Sequence, residues 1–153
     1  MAVIVVSNCL LGCNCRYDGK NCRSKDVRAL AKGNVLIGVC PEQAGGLATP
    51  RNPAEIQGGK VISSAGKNVT REYARGAKAA LDLAKLNKAQ YAVLKAKSPS
   101  CGKGVIYDGT FTGGKTEGNG VTAQLFLDNG IEVFTEDEID RLKNVLKGTN
   151  SKG

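Results

Sequence analysis

The chain has 153 residues, 22 of them lysine or arginine against 14 aspartates and glutamates, for a formal charge of +8 at pH 7, and it contains no histidine. A chain of this length suits one domain that buries roughly two thirds of the surface its unfolded form exposes, so it does not need disulfides to hold it together. Its basic residues are dispersed, with few aromatics and no dense run, which argues against stable nucleic-acid binding and fits a solvated surface or a field that draws small anions.

The run AVIVVS at residues 2–7 is continuous and β-branched, as suits a central strand covered on both faces. It has no basic leader, and Ser7 and Asn8 interrupt it, so neither a secretory signal nor a membrane span is expected and the chain is placed in the cytoplasm. SKDVRALAKG predicts a short helix with Ser24 as N-cap and Gly33 beyond its end. VLIGVC (35–40) predicts a second buried strand. Residues 41–53 hold three of the four prolines and are expected to be loop. GGKVISSAGKNVT predicts a turn or hairpin. A helix is expected over 70–86, with Thr70 as N-cap, Glu72 in its first turn, and Tyr73, Ala77, Ala80, Leu81 and Ala84 on one face.

QYAVLKA (90–96) predicts a third strand, and KSPSCGKG a proline and glycine loop. GVIYDGTFTGG predicts a β-hairpin or a glycine-rich loop with DG as its turn. NGVTAQLFLDNG predicts a helix, IEVF a fourth strand, and TEDEIDRLKNVLK a terminal helix opened by a capping box between Thr135 and Glu138. The order predicts a single α/β domain over 1–147, a mostly parallel, Rossmann-like three-layer sheet with helices on both faces, and a flexible tail at 148–153.

Six cysteines in a reducing compartment point to metal binding or catalysis rather than to a disulfide framework. Cys9 lies two residues after the first expected strand, Cys40 ends the second, and Cys101 lies five residues after the third. Ligands of open α/β sheets collect outside the carboxyl ends of the strands, so these three are expected to converge. Converging thiols suit an iron-sulfur cluster, and three protein ligands leave one iron open. A four-ligand zinc or cluster site drawn from Cys9, Cys13, Cys15 and Cys22 fits the spacing as well.

SNCLLGCNCRYDGKN, VCPEQAGGLATPRNPAEI and KAKSPSCGKGVIYDG, taken together and in this order, resemble the motifs of the thiouracil desulfidase (TudS-like) family, over nearly the whole chain from Val3 to about Phe134. The resemblance implies a 4Fe-4S cluster held by Cys9, Cys40 and Cys101. It also implies a thiolated pyrimidine as small-molecule partner, hydrolysed at the open iron to uracil and sulfide, and iron-sulfur assembly machinery as a second partner. Cys15 stands in reserve as a ligand, and Cys13 and Cys22 are extras of this sequence.

Water attack needs a proton acceptor, and in the absence of histidine Glu42, two residues from Cys40, is the candidate general acid/base. Ser98 is the second catalytic candidate. Ser7, Arg51 and Ser100 are candidate substrate-binding residues, Arg51 through bidentate bonding. Asp18 and Arg16 belong to the RYDG turn, and Glu55 is a weaker choice. The other reading is a cluster or metal carrier that uses the same cysteines without turning over a substrate.

Overall fold

The computed structural model describes residues 1–151. In chain order its elements are β1 (Val3–Ser7), α1 (Lys25–Ala29), β2 (Val35–Val39), α2 (Pro41–Ala44), β3 (Ala54–Gln57), β4 (Lys60–Ser63), α3 (Thr70–Leu86), β5 (Tyr91–Leu94), β6 (Val105–Tyr107), β7 (Lys115–Glu117), α4 (Val121–Asp128), β8 (Glu132–Thr135) and α5 (Ile139–Ser151). Four strands form one parallel sheet in the order β2-β1-β5-β8, with Val5 of β1 beside Ile37 on one side and Ala92 on the other.

Alternation along the strands divides the core in two. Ile4, Val6, Tyr91, Val93 and Phe134 point to one face, where Val27 and Leu30 around α1 and Ile139, Leu142 and Leu146 of α5 cover them. Val5, Ala92, Leu94 and Val133 point to the other, covered by Ala80, Leu81 and Ala84 of α3 and by Ala123 and Phe126 of α4. Ile4, Val5 and Val6 are wholly buried, and each such side chain contributes about 2 kcal/mol through burial. This is the expected α/β arrangement with helices on both faces.

Two antiparallel hairpins, β3-β4 and β6-β7, stand outside the sheet. Their turns fall in the two expected segments, 58–70 and 104–114, while β3 precedes the first segment and β7 follows the second. Ser24 caps α1 by accepting from the Val27 amide at 3.2 Å, and Thr135 and Glu138 form the capping box that leads into α5. Among the described residues no helix is long and apolar enough to cross a membrane.

Four expectations change. β2 is an edge strand, with Val35 exposed, because the chain crosses to the other side of β1 when it lays down β5. Pro41–Ala44 within the expected loop form a short helix, since proline at the first helical position loses no hydrogen bond and presets φ. Thr70 is the first residue of α3 rather than its cap: its hydroxyl accepts from the Val61 amide at 2.9 Å and donates to Asn68, which ties the helix to β4. Finally, α5 continues through Ser151, past the expected start of the tail at 148, and residues 152 and 153 lie outside the described residues.

α2 crosses α3 at two glycines. A Cβ on Gly45 would overlap the Glu72 carbonyl, and one on Gly76 would overlap the Pro41 carbonyl. The two backbones meet with no side chain between them, and this fixes where the residues at the start of α2 stand.

Candidate functional site

The site forms outside the carboxyl ends of β2, β1 and β5. Chain order reverses there, since β2 lies on one side of β1 and β5 on the other, and such switch points open a crevice. A cavity of about 490 Å³ occupies it, within the range of small-molecule pockets. Its lining includes Cys9, Cys40 and Cys101 together with Cys15 and Cys22.

Each cysteine is placed by its loop. Cys9 sits in a 3-10 turn, Asn8–Leu11, directly after β1, and its carbonyl accepts from the amides of Gly12 (3.3 Å) and Cys22 (2.9 Å), which draws the distant end of the cysteine-rich loop back to its start. Cys40 is the residue before α2, and its thiol faces the Cys15 carbonyl at 3.8 Å. Cys101 is buried under α4. Its loop is braced by Ser98, whose Oγ accepts from the amides of Ser100 and Cys101, both at 3.1 Å, and by the 2.8 Å bond between the Ser100 and Thr122 hydroxyls. All six cysteines are free.

The thiols sense one another and their dry surroundings. Burial pushes Cys101 up to about 12, with the Glu42 charge adding to the effect and the Ser7 and Ser100 hydroxyls opposing it. Cys15 is eased downward by Cys40, but its contact with Cys9 and its burial raise it on balance to about 11. Contact with Cys15, then burial, drive Cys40 far above the usual thiol range. Soft sulfur donors gathered in a low-dielectric pocket fit an iron-sulfur cluster, whose charge would reverse these shifts by taking the thiols as thiolates. Among the described residues no group of three or more His, Cys, Asp or Glu side chains is already placed to hold a metal ion.

Glu42 and Arg51 face the same cavity as a pair. Arg51 Nη2 lies 2.7 Å from Glu42 Oε2 and also donates to the Cys15 carbonyl at 3.0 Å, while Nη1 donates to Thr49 Oγ1 (3.0 Å) and to the Ala48 carbonyl (3.2 Å). Burial opposes the charge of Arg51, and the Glu42 carboxylate outweighs it, so the guanidinium is held above its ordinary range. The fork that the sequence offers to substrate is therefore engaged with the protein, clamping the loop after β2 to the cysteine-rich loop.

Ser7 and Ser98 line the cavity. Ser100 is wholly buried behind the wall against Thr122. Asp18 makes its turn, accepting from the Lys20 amide at 3.0 Å, and Arg16 donates to Cys22 Sγ at 3.1 Å. Cys13 is exposed and does not line the cavity.

Sequence reasoning passed over Lys95, Tyr73, Tyr17, Tyr107 and Phe111, all of which line the cavity. Lys95 had a usable signal, because it is the first residue beyond the carboxyl end of β5. Burial lowers its basicity, but the hydrogen bond and charge of Glu136, 2.7 Å away, leave it raised overall. Tyr73 belongs to the apolar face of α3, and burial followed by the Glu42 charge holds its hydroxyl in the neutral form.

The chain as a whole is similar to known proteins. The family model described as 2-thiouracil desulfurase matches residues 4–138. A Bacillus subtilis protein, the uncharacterized YbbK, is 43% identical over 148 residues, covering 90% of this chain and 98% of its own. A solved structure described as the [4Fe-4S]-dependent thiouracil desulfidase TudS superposes with a TM-score of 0.90 at 45% identity, covering 96% of this chain and 99% of that one. The family match runs from β1 past β8 and so spans every loop that contributes a cysteine to the cavity, and the chain belongs to the 2-thiouracil desulfurase family.

Proposed function

We propose that the protein is an iron-sulfur-dependent desulfidase that removes sulfur from a thiolated pyrimidine of the 2-thiouracil kind. The ring carbon takes oxygen from water and gives up its sulfur as hydrogen sulfide, so uracil forms with no net redox change. One observation carries the reading: three cysteines from three strand-end loops share a pocket of small-molecule size with a partly buried, arginine-paired carboxylate. The similarity to a protein described as [4Fe-4S]-dependent supports it.

In this reading Cys9, Cys40 and Cys101 hold a 4Fe-4S cluster. When bound, the cluster supplies an iron without a protein ligand whose Lewis acidity polarises the carbon-sulfur bond. Glu42 takes a proton from the attacking water and returns it to the departing sulfur. Arg51 holds that carboxylate at one oxygen and leaves the other for the proton. Ser98 accepts two amide bonds, so its own O–H is the group it offers to water or substrate. Ser7 borders the substrate, and Ser100 acts from behind the wall through Cys101.

Depth distinguishes this from a carrier, which must surrender its cluster at an accessible surface. Cys9 is 8% exposed and Cys101 is 3% exposed, beneath a pocket with room for a ring. Cytoplasmic iron-sulfur assembly machinery would supply the cluster. The test is anaerobic reconstitution with iron and sulfide, then incubation with 2-thiouracil and assay of sulfide and uracil, with Cys9→Ala, Cys40→Ala and Cys101→Ala as controls. Release by the wild type and loss in all three variants is expected. A cluster that forms on these cysteines but attacks no thiopyrimidine returns the carrier reading.

A further inference from the structure

The loop joining β6 to β7 closes the outer side of the pocket, and the chemistry above gives it no task. Phe111 of this loop and Tyr17 of the cysteine-rich loop line the cavity while remaining 37% and 41% exposed, so two large aromatic side chains border its mouth in contact with water. Phe111 also has φ +56°, a left-handed conformation that a bulky L-residue adopts only under restraint.

The restraint is visible. The carboxylate of Glu55 on β3, a residue only 9% exposed, accepts from the amides of Gly109 (3.0 Å) and Phe111 (3.2 Å). Gln57 donates to the Gly109 carbonyl at 2.6 Å. Within the loop, Asp108 accepts from the amide (3.0 Å) and hydroxyl (2.6 Å) of Thr110. This carboxylate, which also lines the cavity, accepts two loop amides at one oxygen and so fixes a backbone that alone would favour another shape. What it presents to the pocket is the ring of Phe111.

We propose that Phe111 is the residue on which the planar ring of the substrate stacks, and that Glu55 is the positioning residue that holds it there. The inference rests on the desulfidase reading for the class of substrate, a planar heteroaromatic thioamide. Such a ring offers sulfur, oxygen and nitrogen only at its edge, so its faces need an apolar partner, and an aromatic side chain serves any of these rings because each has a π-face. The cysteine floor reads the sulfur, and Phe111 reads the ring.

The test is steady-state kinetics of the cluster-loaded enzyme on 2-thiouracil, with KM and kcat read separately, beside equilibrium titration with uracil, the unreactive product. Phe111→Ala is expected to raise KM and weaken uracil binding about tenfold while kcat stays within about twofold, and Phe111→Tyr to restore both. Glu55→Ala shifts KM the same way, Glu55→Gln recovers most of it by keeping an acceptor oxygen, and the double alanine variant is no worse than the worse single one. Unchanged KM and uracil affinity in Phe111→Ala overturn the stacking role and leave the desulfidase reading standing. A wild type that binds uracil in a Phe111-dependent way but releases no sulfide overturns the desulfidase reading alone; one that neither reacts nor binds overturns both.

Discussion

The crossing of α2 and α3 makes a sharp prediction for Gly76→Ala. In most helix interiors this substitution stabilises by up to about 1 kcal/mol, because glycine loses more conformational freedom on folding. Here the added Cβ overlaps the Pro41 carbonyl. Overpacking of a rigid backbone costs about 3 kcal/mol, the upper end of its usual range, since no flexible side chain is present to yield. The net is a loss of about 2 kcal/mol, which in a protein of this size lowers the melting temperature by about 4–8 °C. Gly148→Ala on α5 is the control, because a Cβ there meets nothing within 4 Å among the described residues and the change is expected to be neutral or slightly stabilising. Thermal unfolding of the cluster-free protein by circular dichroism reads both. Because α2 begins directly after Cys40 and carries Glu42, Gly76→Ala is also expected to lower cluster content and sulfide release by more than its stability loss accounts for. A Gly76→Ala protein as stable as the wild type would refute the claim that this close approach places the start of α2.

Other expectations follow from the same geometry. Arg51→Ala leaves Glu42 without its charge partner and removes the clamp on the Cys15 carbonyl, so sulfide release is expected to fall more than about tenfold; Arg51→Lys, which keeps the charge but not the fork, recovers only part of it. Glu138 bears on stability at acid pH. Burial opposes its ionisation, but the Thr135 amide, Lys103 and Arg141 hold its pKa below the ordinary 4.5, so its contribution is present above that pH and is lost as pH falls through the lower folded value. Melting curves of wild type and Glu138→Gln are expected to differ near neutrality and to converge as the pH falls below the ordinary carboxylate range. In the cluster-free protein, alkylation at pH 8 followed by peptide mass spectrometry is expected to label exposed Cys13 first and Cys15, Cys40 and Cys101 last, since neighbouring groups and burial raise those three thiols well above the ordinary range.

The layers were legible in the sequence because they depend on local pattern. Continuous apolar runs predict β1 and β5, three- and four-residue spacing predicts α3, and the capping box at Thr135 predicts where the last helix begins. Strand order is a different kind of fact. VLIGV has the composition of a buried strand and lies at the edge only because of where the later crossover goes, which no window of residues records. α2 hid among prolines because Pro41 serves as a helix start when a favourable neighbour, here α3, covers four residues too short to hold alone. At the site, cysteines announce themselves by chemistry and by loop position, and Cys9, Cys40 and Cys101 do come together. Phe111 and Tyr107 did not announce themselves, because YDGTF was read for its turn, and a turn says nothing about which cavity its side chains will face.

Cys40, Cys9 and Cys101 follow β2, β1 and β5, three strands that lie side by side. Hydrogen bonding between backbones sets neighbouring strands about 4.8 Å apart whatever their side chains are. The sheet thus acts as a ruler whose divisions are peptide groups, and it sets where the three loops that carry the cysteines begin. Surface charge can vary widely against such a ruler, while the loop after each strand, short to Cys9 and Cys40 and longer to Cys101, carries its cysteine the rest of the way.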